Sequence, residues 1–115
     1  MSFPRRGYLY WVRLDKRRPA LVVSPNYRNE HASDVIVVPC STHVRLAPTH
    51  VLLRHGDGGV GATSVLKCEQ IATLHRDDVG RTPLGSGLAE RQMRDVERAI
   101  LRAIGIVAEL SRRID

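Results

Sequence analysis

Asp34-Val35-Ile36-Val37-Val38-Pro39 is the stretch on which the fold turns. Its β-branched run packs well on a pleated surface, so a strand is expected over Asp34 to Pro39. Upstream, Ala20 to Ser24 is continuously apolar, as in a strand buried on both faces. Gly7 to Leu14 alternates near period two, with Tyr8, Tyr10, Val12 and Leu14 on one face, and reads as a further strand. Between these two, Asp15-Lys16-Arg17-Arg18-Pro19 is a short, very basic connection, and Pro25 to Ser33 reads as a loop or a single helical turn. Downstream, Cys40-Ser41-Thr42-His43-Val44-Arg45 looks like an exposed loop rather than core. Thr49 to Arg54 is another strand, and His55 to Gly61 a hairpin or flexible loop. Thr63 to Cys68 and Glu69 to Leu74 read as two short strands or one bent strand.

Gly80 to Gly87 is punctuation before the one long helical pattern. From Leu88 to Ile104, apolar residues recur at Leu88, Met93, Val96, Ile100, Leu101 and Ile104, with Arg91, Arg94, Glu97, Arg98 and Arg102 between them. That is an amphipathic helix, and Gly105 is its natural stop. Ile106, Val107 and Leu110 continue as an apolar tail, expected to dock on the barrel or to lie in a subunit contact. About five to seven short strands closed by one helix give a mainly β chain with a C-terminal helix, a small, strongly bent, barrel-like antiparallel sheet.

At 115 residues, 43% hydrophobic and 26% charged, residues 1–115 have the length and composition of one globular domain rather than a disordered chain. No apolar stretch reaches the ~18 residues of a membrane-spanning helix, and no apolar segment follows the N-terminal arginines as in a secretory signal, so a cytoplasmic protein is expected. In that compartment Cys40 and Cys68 are expected as buried thiols rather than a disulfide. The uneven feature is charge. Net charge is +6, and 16 of the 18 cations are arginine, whose planar fork matches phosphate oxygens. A GC-rich coding sequence produces the same skew, so the count alone identifies no partner.

Several motifs resolve to structure. The glycines from Gly56 to Gly61 lack a Gly-Lys-Ser/Thr ending and a following helix, so they read as a hairpin loop and not a phosphate cradle. His31, His43, His50, His55 and His75 show no metal-ligand spacing, and neither metal nor cofactor is expected. The helix arginines read as a solvated face. Two places resist such readings. Arg17-Arg18-Pro19 sets a guanidinium pair between two strands, and Ser41-Thr42-His43 brings hydroxyls and an imidazole out at a strand end. In a bent sheet those two places can converge.

Five segments together resemble the MazF/PemK-type ribonuclease toxins. They are Arg6 to Leu14, Arg18 to Ser24, Val35 to Pro39 with the following hydroxyl and Pro48-Thr49-His50-Val51, Ser64 to Thr73, and the closing helix through Gly105. The similarity covers residues 5 to 106 in order. It implies a homodimeric, SH3-like barrel that cuts single-stranded RNA, often messenger RNA, at short sequences without a metal, leaving a 2′,3′-cyclic phosphate and a 5′-hydroxyl. It also implies a cognate antitoxin with an acidic, disordered tail. By position, Arg18 matches the family's arginine before proline and Ser41 its catalytic threonine. Lys67 and Glu69 match a charged pair around the cysteine, and Ser64 and Gln70 match residues lining the RNA groove. Departures are a shorter first loop lacking the family's Gly-x-Glu-Gln, and hence any carboxylate or histidine from it, together with Ala72 in place of an arginine and Lys67 in place of another.

Metal-free cleavage needs a base for the 2′-hydroxyl, an acid for the leaving 5′-oxygen and cations at phosphorus. The expected catalytic set is Arg18 on the phosphate, Ser41 donating to a phosphate oxygen and Glu69 as base in preference to His43. Arg17, Thr42, His43, Arg45, Ser64, Lys67 and Gln70 are expected to bind substrate. A gyrase-binding toxin of the CcdB type and a non-catalytic nucleic-acid-binding barrel are the alternatives. The first needs a tryptophan-bearing C-terminal helix, whereas the only tryptophan here is Trp11.

Overall fold

The structure is a computed structural model that describes residues 3–106. Val107 and Leu110 of the expected apolar tail lie outside the described residues. Six strands, β1 (Leu9–Arg13), β2 (Arg17–Val22), β3 (Asp34–Ser41), β4 (His50–Leu53), β5 (Ser64–Lys67) and β6 (Ala72–His75), accompany two α-helices, α1 (Asn26–His31) and α2 (Glu90–Ala103). The strands run in the order β1-β2-β3-β5-β4, with β6 on β3, and every pairing is antiparallel.

β3 bends the sheet by changing partners along its length. Asp34 to Val37 pair with β6, Val37 to Pro39 with β2, and Cys40 and Ser41 with β5. A strand so surrounded must be apolar on both faces, and Val35, Val37, Val38 and Cys40 are all buried. β2 divides the core in the same way. Ala20 and Val22 pack with Tyr10, Val12, Val35, Val37 and Val79 on one side. Leu21 packs with Leu9, Val38, Leu66 and the helix residues Met93, Val96 and Ala99 on the other. The helix face is the expected one at Leu88, Met93, Val96 and Ile100, with Ala99 added, whereas Ile104 lies past the helix end and is exposed.

Pairing also explains the boundaries that differ from the sequence reading. Arg17 and Arg18 belong to β2, opposite Arg13 and Val12, so the first connection shrinks to Leu14–Lys16. Cys40 and Ser41 extend β3 because Leu66 and Val65 pair with them, and the exposed loop begins at Thr42. Cys68–Gln70 is a 3-10 turn, not strand. Pro25 to Ser33 contains α1, held by Asn29, which is fully buried and donates to the Ser24 carbonyl at 2.9 Å.

The segment read as punctuation covers an edge. Gly80, Leu84 and Leu88 donate their N–H groups to the carbonyls of Trp11, Leu9 and Gly7 at 2.8, 2.8 and 2.9 Å. This pairs the free side of β1, which would otherwise be open to another chain. Helix α2 ends as expected at Gly105 (φ 87°), with Ile106 N–H returning to the Leu101 carbonyl at 2.8 Å. Among the described residues no helix is long and apolar enough to cross a membrane.

Gly59 is the least replaceable glycine. Its φ is +93°, and a Cβ there would lie 2.4 Å from the Leu84 carbonyl carbon, which is backbone and cannot swing away. Gly59→Ala is expected to cost about 2 kcal/mol or more. A lowered urea midpoint would show it; an unchanged midpoint would contradict the packing described.

Candidate functional site

The β2–β3 register aligns Ala20 with Pro39. Beyond that pair β3 turns to β5, and Arg18 and Ser41 both line an open cleft of about 240 Å³. Trp11, Lys16, Arg17, Thr42 and Ser64 line it with them. Five of the residues expected from sequence are thus brought together: Arg17, Arg18, Ser41, Thr42 and Ser64. Ser64 arrives through β5, whose Val65 pairs with Ser41.

Each group has a defined state. The Arg18 side chain is only 17% exposed, and one terminal nitrogen lies 3.0 Å from the Asp15 carboxylate. Its Nε is buried and without a partner among the described residues. A buried donor left unpaired costs about 1–3 kcal/mol. Ser41 Oγ accepts the His43 N–H at 3.1 Å, which leaves its own O–H free to donate into the cleft. The Arg17 guanidinium lies 4.8 Å from the centre of the half-exposed Trp11 ring, a cation on a flat platform. Asp15 also corrects the sequence expectation that the short first loop brings no carboxylate. The three-residue turn folds that carboxylate directly onto Arg18.

The remaining expected residues lie elsewhere. His43 is exposed and does not line the cleft, because the chain bends away after Ser41. Glu69 and Gln70 lie in the turn after β5, whose own length from Ser64 to Lys67 is about 10 Å. There Glu69 accepts from Thr49 Oγ1 at 2.9 Å and from His50 Nε2 at 3.1 Å, so both of its oxygens are engaged. His50 Nδ1 faces the Arg45 carbonyl at 2.7 Å, and Lys67 lies opposite His50 across β4 and β5. Both partners of the imidazole are acceptors. His50 is the residue that sequence reasoning missed. Its place in the Pro-Thr-His-Val segment was visible, but its contact with Glu69 spans 19 positions.

Burial alone would raise the Glu69 carboxyl. Its own backbone N–H, the bonds from His50 and Thr49 and the His50 charge outweigh that and hold it below the ordinary value of 4.5. A depressed carboxylate contributes stability above its unfolded value and loses it as pH falls through the folded one. Acidification below about pH 4.5 is therefore expected to lower the melting temperature of the unaltered protein more than that of Glu69→Gln. Parallel pH curves would contradict this.

Both cysteines are buried free thiols. Burial, followed by the Glu69 charge, pushes Cys68 up to about 12, and burial also raises Cys40 against a weaker lowering by Ser64, so neither is poised as a nucleophile. A larger cleft, about 740 Å³, lies among Tyr10, His31, His75, Arg76 and Arg81 and contains none of the expected site residues. The helix arginines are exposed, and Arg94 and Arg98 pair with Glu90 and Asp95 on the same helix. Among the described residues no group of three or more His, Cys, Asp or Glu side chains converges.

The chain is a bent antiparallel barrel closed by a helix, with a basic cleft that holds a shielded guanidinium and a hydroxyl. Residues 5–104 match the family of PemK-like, MazF-like toxins of type II toxin–antitoxin systems, and the chain belongs to that family. It is 33% identical over 107 residues to endoribonuclease MazF4 of Mycobacterium tuberculosis, covering 92% of this chain and 97% of that one. Among solved structures, the Mycobacterium tuberculosis toxin MazF-mt6 superposes with a TM-score of 0.79 at 29% identity, over 88% of this chain and 99% of that one. An endoribonuclease in complex with its cognate antitoxin, from Mycobacterial species, gives 0.80 at 32% identity, over 91% and 98%. The fold is the expected SH3-like barrel with its closing helix.

Proposed function

We propose that this toxin is a sequence-specific, metal-independent endoribonuclease that cuts single-stranded RNA, messenger RNA included. The observation that carries this is one cleft lined by Arg18, whose side chain is only 17% exposed, and by Ser41, whose O–H is free to donate. An RNA phosphate entering the cleft takes hydrogen bonds from both. Arg18 then neutralises the charge that builds at phosphorus as the 2′-oxygen attacks. The attack is intramolecular, so holding the sugar in line contributes much of the rate. Arg17 on Trp11, with Thr42, Lys16 and Ser64, steers the strand, and unpaired bases can stack on the exposed indole.

The protein acts in the cytoplasm as a homodimer. Val44, Leu46, Leu52, Ile71 and Ile104 are exposed apolar residues on the loop, strand and helix end around the Glu69 cluster. A second copy seated there would bury them and would bring Arg45, Lys67, Glu69 and Gln70 to the RNA path, which the folding of one chain does not do. The excess of arginine suits a second acidic partner, the disordered tail of an antitoxin. The test is incubation of the purified protein, in EDTA, with a long single-stranded RNA and with its perfect duplex. Cutting of the single strand and sparing of the duplex is the expected result, and an intact single strand would overturn the reading.

A further inference from the structure

We infer that the RNA strand runs on from the Arg18 cleft along the outer edge of β1 into the cavity beside β6, where Arg81 takes a further phosphate. The inference rests on the ribonuclease reading above and adds to it the length and path of strand that the protein binds.

Three observations support it. First, the hollows adjoin one another. Trp11 and Arg17 line both the Arg18 cleft and a second hollow of about 200 Å³ beside Arg13. Asp77, Val79 and Gly80 line both that hollow and the cavity of about 740 Å³ that holds Arg76 and Arg81. The backbone fixes this order, because the Gly80 N–H donates to the Trp11 carbonyl at 2.8 Å and Val79 forms a bridge to Val12.

Second, cations recur along the track. Arg17, Arg13 and Arg81 are exposed, and Arg76 is anchored by its donation to the Glu30 and Ala32 carbonyls at 3.4 Å each. A strand that follows them gains from each phosphate neutralised. Trp11 at one end and Phe3 at the other offer flat rings to unpaired bases.

Third, two carboxylates stand in the middle of the track. Asp77 and Asp78 line the second hollow, and the Asp77 side chain is 91% exposed, 3.5 Å from His75 Nδ1. Carboxylates there repel an acidic peptide, but they accept from the amino groups of nucleobases. RNA carries both phosphates and amino donors, so it fits this alternation of charge where an acidic protein tail does not. None of the exposed apolar residues assigned above to the second copy lines the track.

The cut is first mapped on a long single-stranded RNA, and the same sequence is then trimmed to about 6 nucleotides around the cut, near the low end of what one small barrel covers. Arg81→Glu is expected to raise KM for the long RNA about 10-fold at unchanged kcat. On the trimmed RNA both constants should stay as they are, which also checks the fold. Arg81→Ala should lower the slope of log affinity against log salt for the long RNA by about 0.7, the share of one phosphate. A KM raised equally on both RNAs would overturn the inference, because Arg81 would then act within the Arg18 cleft. So would weaker binding of a glutamate-rich peptide with RNA kinetics unaltered, which would give the track to a protein partner. No cleavage of either RNA by the unaltered protein would overturn the ribonuclease reading and this inference together, whereas an unchanged KM of Arg81→Glu on the long RNA overturns this one alone.

Discussion

Arg18→Ala is expected to lower RNA cleavage by 10³-fold or more while the protein stays folded. A preorganised donor at developing charge is worth about 10²–10³ in rate, and an arginine at a phosphoryl centre about 10³–10⁵. Arg18 is the shielded guanidinium of the cleft, with Arg17 stacked on Trp11, so removing it deletes the proposed charge stabiliser together with the anchor for the phosphate. The loss should fall on kcat and kcat/KM alike, because the interaction strengthens as charge develops. Stability should change little, since the deletion also removes a buried unsatisfied donor. Arg18→Lys keeps the charge but not the fork and is expected to recover only part of the rate. Near-normal cleavage by Arg18→Ala would remove the chemical basis of the site.

The largest loss of stability is expected for Leu66→Ala. Leu66 is fully buried in β5, opposite Cys40 of β3 and Val51 of β4, and belongs to the cluster beneath α2. Truncation there removes transfer energy and leaves a cavity between two strands and a helix, costing about 2–5 kcal/mol. Domains are typically stable by about 5–15 kcal/mol, so the variant loses a large part of its margin. Urea unfolding followed by circular dichroism measures it, and a shift below about 1 kcal/mol would mean that the layer is not close-packed.

The parts of the fold legible in the sequence are those whose pattern is local. The β-branched run of β3, the continuous apolar run of β2 and the helical spacing of Met93 and Val96 each state their own burial. What the pattern conceals is contact between distant residues. Cys40 and Ser41 look like loop because they are small and polar, yet pairing with Leu66 and Val65 makes them strand. Asn29 looks like a loop residue because a buried amide is justified only by its partner, the Ser24 carbonyl.

The site divides in the same way. Arg18 and Ser41 are legible because each stands at the mouth of a strong strand, and the bent sheet brings both to one cleft. His50 was not, because its clamp on Glu69 joins β4 to a turn 19 residues away. Asp15 was in plain view three positions before Arg18. A short loop read only for the motif it lacks conceals that its own turn brings a carboxylate to the arginine.

Intramolecular attack at the Arg18–Ser41 cleft, as proposed, requires no metal. Mass spectrometry of the fragments from a long single-stranded RNA incubated with the purified protein in EDTA tests it most directly. Fragments ending in a 2′,3′-cyclic phosphate and beginning with a 5′-hydroxyl are expected. Fragments carrying a 5′-phosphate and a 3′-hydroxyl, or no fragments at all, would contradict it.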